Sequence, residues 1–261
     1  MNCASETFYR QVSFNHGTML DDLTQLDAIG WEAVKKALNQ RVVVTDTRFV
    51  PSRVNRVWIV ETDVRPVVVK RFLSGKSGNE FESLVLARGK DLCVPYPLAA
   101  HGDYLVMEYL QGEVCDVLIN KMFSVEAAEG IGRWLAMFHS RLSTEFGRRV
   151  RMDSVLSNFI MRDGVVYGVD LEDSGNGNPL DDVGELGASI LGNEPFFTPI
   201  KFDLCTRMLR AYGQVAGLDV SESSRKYIAR HLLIDAHRKP LFRRTLVNAA
   251  RSLERKWPDL I

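Results

Sequence analysis

Between residues 41 and 110 the chain keeps returning to β-branched runs, and after Gly112 it stops doing so. Arg41-Val-Val-Val-Thr45, Val54-Asn-Arg-Val-Trp-Ile-Val60 and Pro66-Val-Val-Val-Lys-Arg-Phe72 carry side chains that suit a pleated, half-buried surface. Turn signals at Val50-Pro51-Ser52 and Thr62-Asp63 separate them, and two more extended runs are predicted near Leu98–Ala100 and Tyr104–Glu108. A single helix interrupts this series, with Asn79 as candidate N-cap and Phe81, Leu84 and Val85 at helical spacing. Beyond Gly112 the pattern is helical. Ser124 is placed to cap a long helix whose apolar stripe is Ile131, Trp134, Leu135 and Phe138, and further helices are predicted from Pro179 to Trp257. The exception is a predicted hairpin, Asn158–Met161 and Val165–Val169, turning at Arg162-Asp163-Gly164. Strands first and helices afterwards is the α+β pattern. The expected organisation is a β-rich N-terminal lobe over 1–108, a hinge over 109–113 and a helical C-terminal lobe over 114–261.

Composition narrows the class. Thirty-three Lys and Arg balance thirty-three Asp and Glu, so a globally basic nucleic-acid binder is excluded. The first fourteen residues have no apolar run of leader length and no stretch is long enough to span a bilayer, which makes the cytoplasm the expected compartment. Cys3, Cys93, Cys115 and Cys205 are scattered without metal-like spacing and are expected as reduced thiols.

Chemistry is suggested by a few polar residues at the ends of apolar runs. Lys70 closes a strand. Alone it would be a snorkelling surface residue, but Glu80 and Glu82 follow on the next helix, and either carboxylate would orient its ammonium. Asn158 opens the predicted hairpin and Asp170 follows it, so the two are brought side by side. Two protein oxygens, with waters and phosphates, are what Mg²⁺ takes. Asp153, five residues before Asn158, is placed to accept a hydroxyl proton.

Strand lysine, helix glutamate, Asp-x₄-Asn and a later Asp after a hairpin resemble the protein-kinase-like superfamily. The aminoglycoside phosphotransferase and choline kinase branch is the nearest in flavour. Ser52-Arg-Val-Asn-Arg-Val-Trp-Ile-Val60 is similar to its phosphate loop and Val94-Pro-Tyr-Pro97 to its turn after the helix. Leu105-Val-Met-Glu-Tyr-Leu-Gln-Gly112 is similar to its hinge, and Asp170-Leu-Glu-Asp173 with Asn178-Pro179 and Asp182-Val183 to its metal segment. The resemblance covers about residues 45 to 190 and implies a bilobal kinase-like fold. It implies ATP and Mg²⁺ as cofactors, and transfer of the γ-phosphate to a hydroxyl of a small molecule or sugar.

By the same resemblance Lys70 contacts the phosphates, oriented by Glu82, which fits the family's offset better than Glu80. Asn55 belongs to the phosphate loop, and the backbone of Glu108 and Leu110 meets adenine. Asp153 is the catalytic base, Asn158 and Asp170 hold the metal, and Asp182 braces the catalytic loop. The chain departs from the pattern at two places: Pro51-Ser-Arg-Val-Asn55 lacks the usual glycines, with Arg53 or Arg56 as charge substitutes, and position 151 is Arg where His is usual. These departures keep a nucleotide-binding pseudokinase scaffold as an alternative. A Ser/Thr protein kinase is the other.

Some features point elsewhere. Gly75-Lys-Ser-Gly78 mimics a fragment of a phosphate-binding loop and reads as a plain strand-to-helix connection. From Glu222 to Trp257 there are ten Lys or Arg against three acids. The wet face of amphipathic helices is the plainer account, an anionic partner the sharper one.

Overall fold

The computed structural model describes residues 25–39, 42–52, 54–73, 77–145 and 147–255. Cys3, Arg41, Arg53 and Trp257 lie outside the described residues, as do 74–76 of the glycine-rich connection. The architecture is mixed α+β, as the pattern predicts. The chain divides into two compact units: one runs to Val85 and takes in Pro95–Leu110, the other comprises Leu86–Val94 and everything from Gln111.

The first unit is built on five antiparallel strands in the order β1-β2-β3-β5-β4. These are β1 (Val44–Val50), β2 (Arg56–Thr62), β3 (Val67–Arg71), β4 (Pro97–His101) and β5 (Tyr104–Glu108). β1 starts three residues later than the Arg41–Thr45 run and continues through Asp46-Thr47-Arg48. Val43 is held instead by the β2–β3 turn, donating to Asp63 Oδ1 at 3.0 Å. As an edge strand β1 keeps most side chains exposed, so its polar centre hides it from a search for β-branched runs.

A helix with no counterpart in the expectations, α1 (Ala28–Leu38), covers this sheet. Asp27 caps it by accepting from Gly30 N at 2.9 Å, and Asn39 ends it in the left-handed region at φ 51°. Its Ala33, Val34 and Leu38 join Trp58, Val60, Val67, Val69 and Val106 in one buried cluster. Helix α2 (Ser77–Gly89) begins two residues before Asn79, so Asn79 is inside the helix and caps nothing. Within its stripe Leu84 is buried, but Val85 faces solvent.

The helical unit centres on α4 (Val125–Leu142), capped by Ser124 Oγ accepting from Ala127 N at 3.1 Å. Its buried stripe is the expected one, Ile131, Trp134, Leu135 and Phe138, and burying side chains of this size contributes about 1.5–3 kcal/mol each. Helix α6 (Pro199–Ala216) packs along α4 at Gly132, where a Cβ would stand 2.3 Å from Met208 O, so only glycine permits the approach. A short β6 (Glu113–Val114) and α3 (Cys115–Asn120) precede α4. The predicted hairpin forms as β8 (Phe159–Arg162) and β9 (Val165–Gly168), with β6 completing a three-stranded sheet. A two-stranded ribbon pairs β7 (Arg149–Val150) with β10 (Gly175–Asn176). Helices α5 (Pro179–Leu191), α7 (Arg225–Arg238) and α8 (Arg243–Arg255) complete the unit. Among the described residues no helix is long and apolar enough to cross a membrane.

Candidate active site

In the first unit the ammonium of Lys70 is the buried charge. Lys70 sits on β3, paired to Val57 of β2 and Leu105 of β5, so its backbone is fixed on both sides. Its Nζ lies 2.7 Å from Glu80 Oε2, with side chains 7% and 1% exposed, and 4.7 Å from the Phe72 ring centre. The partner is therefore Glu80. Glu82, preferred from the sequence, is exposed on the helix surface. With α2 starting at Ser77, Glu80 falls on the inward face and Glu82, two residues on, is rotated by about 200° away from it. Asn55 is buried in the turn before β2. Glu108 ends β5, and its N–H is spent on Tyr96 O at 2.9 Å; Leu110 is buried.

In the helical unit the segment Arg151–Asn158 leaves β7 and enters β8 through a short 3₁₀ turn. Asp153 Oδ2 accepts from Asn158 Nδ2 at 2.8 Å, and the same nitrogen reaches Asp153 O at 3.1 Å. With Nδ2 so used, Asn158 presents Oδ1 as its remaining coordinating atom. The hairpin then delivers Asp170: Val169 N donates to Asn158 O at 3.0 Å, and Asp170 itself is in the left-handed region at φ 61°. Burial pushes the Asp153 carboxyl up; Asn158 opposes this, and the Asp170 and Asp173 charges add to it.

Helix α5 holds this loop in place. Asp182 Oδ2 accepts from Arg151 N at 2.6 Å and its Oδ1 from Met152 N at 3.0 Å. One turn on, Glu185 Oε2 accepts from Ser154 N at 2.7 Å, and Ser189 Oγ accepts from Leu156 N at 3.2 Å. Positions 182, 185 and 189 share one helix face, so a single rigid element fixes the amides of Arg151, Met152, Ser154 and Leu156 along the loop. Of these three, the sequence pattern singles out Asp182 alone. Its signal for the others was a polar stripe on a helix that is otherwise apolar.

Asp182 also receives His139 Nε2 at 2.9 Å, and His139 Nδ1 lies 2.9 Å from Tyr212 OH. Burial would raise the Asp182 carboxyl. The His139 hydrogen bond and charge, with the Arg151 and Met152 amides, outweigh it and hold Asp182 below the ordinary value. An ionised acceptor requires the proton on His139 Nε2.

Arg151, the departure noted in the sequence at this position, is 1% exposed. Its guanidinium lies 4.6 Å from the Phe159 ring centre and 5.2 Å from that of Trp134, and Nη2 donates to Val169 O at 2.8 Å. Nε and Nη1 are buried without a hydrogen-bond partner. Burial holds the Arg151 guanidinium below its ordinary value, and the aromatic faces with the surrounding Asp182, Asp170, Asp153 and Glu185 charges recover only part of that cost. Gly168 makes the room: a Cβ there would stand 2.2 Å from Trp134 Cζ2 and 2.8 Å from Arg151 Nη1. Arg151 thus ties the loop bearing Asp153 to the residue preceding Asp170.

No protein-family model and no curated protein sequence matches the chain. Solved structures do resemble it. A choline/ethanolamine kinase family protein from Mesorhizobium loti is 14% identical, with 82% of this chain and 90% of that one covered at a TM-score of 0.59. The streptomycin–ATP–APH(2″)-IIa ternary complex gives 16%, 81%, 90% and 0.57. Spectinomycin phosphotransferase APH(9)-Ia, in complex with ADP and spectinomycin, gives 7%, 81%, 86% and 0.58. At these identities the likeness is one of fold: the chain has the kinase-like fold shared by aminoglycoside phosphotransferases and choline kinase-type proteins.

Proposed function

We propose that this protein is a phosphotransferase that uses ATP and Mg²⁺ to move a γ-phosphate to a hydroxyl of a small molecule or sugar. The observation that carries the reading is the Asp153–Asn158 clamp, its amides hung from α5 and its far end held by the N–H of Val169, the residue before Asp170. The fold neighbours that hold ATP with streptomycin, or ADP with spectinomycin, support the same reading.

The donor set fits a hard cation. Asn158 Oδ1 and the Asp170 carboxylate are two oxygens from adjoining strand ends, the kind of partial cage that Mg²⁺ accepts. The metal would neutralise phosphate charge. Lys70, fixed by Glu80, would bind phosphate oxygens as a point charge. Asp153, its carboxyl pushed up by burial, would take the acceptor hydroxyl's proton; Asn158 orients it and Arg151 keeps the surrounding acids from expelling one another. Little covalent work is left for the protein, since positioning and electrostatics supply most of phosphoryl-transfer catalysis.

The test is thermal unfolding with ATP, with and without Mg²⁺. Saturation at about 100-fold over Kd stabilises by about 2.7 kcal/mol. The expected result is a Mg²⁺-dependent rise in Tm for the wild type, lost in Asp170→Ala. Asp153→Ala is expected to keep the rise while losing phosphate transfer about 10²–10⁴-fold. No Mg²⁺-dependent rise in the wild type overturns the proposal, and a rise with no turnover toward any hydroxyl or water favours the pseudokinase alternative.

A further inference from the structure

The hairpin of α7 and α8 is the part of the chain that phosphoryl transfer leaves without a task. From 236 to 253 there is no acid, but Arg238, Lys239, Arg243, Arg244 and Arg251 are present. Lys239 belongs to the fold: its Nζ donates to Asn193 Oδ1 and Asp235 Oδ2 at 2.9 Å each and to Gly192 O at 3.2 Å. Arg238, Arg243, Arg244 and Arg251 are exposed, and none makes an ion pair among the described residues.

A solvated helix face accounts for the cations but not for what they surround. The two helices are joined by a single turn, Pro240–Phe242, and Leu241 at its tip is 93% exposed, the most exposed large apolar side chain among the described residues. The Phe242 ring lies 4.7 Å from Phe196, and Phe196 lies 6.2 Å from Phe197. All three rings are half-buried. On α7, Leu233 and Ile234 add 36% and 37% exposed aliphatic surface. The result is exposed apolar surface at the tip and on α7, with Arg238 before the turn and Arg243 and Arg244 directly after it in the chain.

That combination discriminates between occupants. Water rewards neither an exposed leucine nor a row of phenylalanine edges. A nucleic acid rewards the cations and stacks its bases on open ring faces, but these three rings are half-buried against one another and the exposed Leu241 offers no face to stack on. An anionic amphiphile surface rewards both, because apolar side chains enter the boundary between headgroups and chains while arginines meet phosphates. We infer that the α7–α8 tip docks this protein on an anionic lipid surface, with Leu241 and Phe242 entering the headgroup layer and Arg238, Arg243 and Arg244 on lipid phosphates. The tip belongs to the same unit as the catalytic loop: the Arg238 charge acts on Glu185, whose carboxylate holds the Ser154 amide beside Asp153. Docking would therefore set the loop near the surface, a consequence that rests on the proposed function, whereas the docking itself does not.

The test is co-sedimentation of the full chain, without nucleotide, with vesicles of phosphatidylcholine alone or with about one third phosphatidylglycerol, an anionic fraction large enough to set up a surface potential. Binding is expected only to the anionic vesicles and to weaken with salt. Arg243→Glu with Arg244→Glu should weaken it by about tenfold or more, since each cation near such a surface counts for several-fold. Leu241→Ser, at a side chain that touches little of the fold, should keep the wild-type melting curve and also lose binding. Equal binding to both vesicle types, or none, overturns the proposal. So does an anionic binding that Leu241→Ser leaves intact, or retention of RNA in place of vesicles; these outcomes assign the patch to polyanions.

Discussion

Asp182 and Glu185 lie one turn apart on α5 and do the same job, accepting backbone N–H groups from one loop, yet their carboxyls are displaced in opposite directions. Asp182 is held below its ordinary value, whereas burial pushes Glu185 up to about 7. Depth does not explain the difference, since Asp182 is the more deeply buried. Donor count does. Asp182 takes His139 and two amides, while Glu185 takes one amide and faces the Asp153 and Asp182 charges, which the Arg238 charge offsets only in part. A buried carboxylate becomes a strong acid when its lone pairs are filled, and a weak one when they are not.

The largest expected effect comes from emptying the better-filled site. Asp182→Ala leaves His139 and two loop amides without an acceptor, which should cost about 3–5 kcal/mol in urea unfolding. Asp182 also fixes the acid limb of stability. Because its folded value is lowered, its contribution is complete above the ordinary carboxylate range and is lost as the pH falls through that lowered value, so the variant should show a flatter acid limb.

Glu185 has the opposite sign. Its folded value near 7 lies above the ordinary 4.5, so the fold favours the protonated form, and stability falls as the pH rises from about 4.5 to about 7. Glu185→Gln keeps an acceptor for Ser154 and removes the charge. The unfolding free energy should be unchanged near pH 5 and larger at pH 8, by on the order of 1 kcal/mol at this half-buried position, read in urea unfolding at each pH. A variant less stable than wild type at pH 8 would break the comparison. The smallest effect belongs to Ser189→Ala, about 1 kcal/mol for the single Leu156 amide, read as faster hydrogen exchange in the loop.

What the sequence made legible was whatever its local pattern encodes. The Ser124 cap and the Trp134 stripe are set within a few turns of chain, and the hairpin follows from an Asp-Gly turn between apolar runs. The five-residue spacing of Asp153 and Asn158 survives as a direct hydrogen bond. The illegible parts depend on distant packing. Choosing Glu80 over Glu82 needs the first residue of α2, which no side-chain signal at Asn79 supplied. Helix α1 carries its own cap, but its apolar face has meaning only against the sheet. Glu185 and Ser189 look like solvent-facing polar residues until the loop 30 residues upstream is laid across them. Arg151 reads in the sequence as a bare departure from the resemblance; only packing reveals that it is a buried cation between Trp134 and Phe159, with Gly168 leaving it the space.

Asp170 stands in a left-handed backbone conformation that glycine adopts without penalty and that costs an ordinary L-residue about 1–2 kcal/mol. Asp170→Gly should therefore relieve the backbone while removing the carboxylate assigned to the metal, and glycine's greater freedom in the unfolded chain takes back part of that relief. Backbone comfort and the proposed turnover thus make opposite demands on this one position. A library screened for each demand would mark, by where the two outcomes diverge, which residues the chain keeps for chemistry and which for folding.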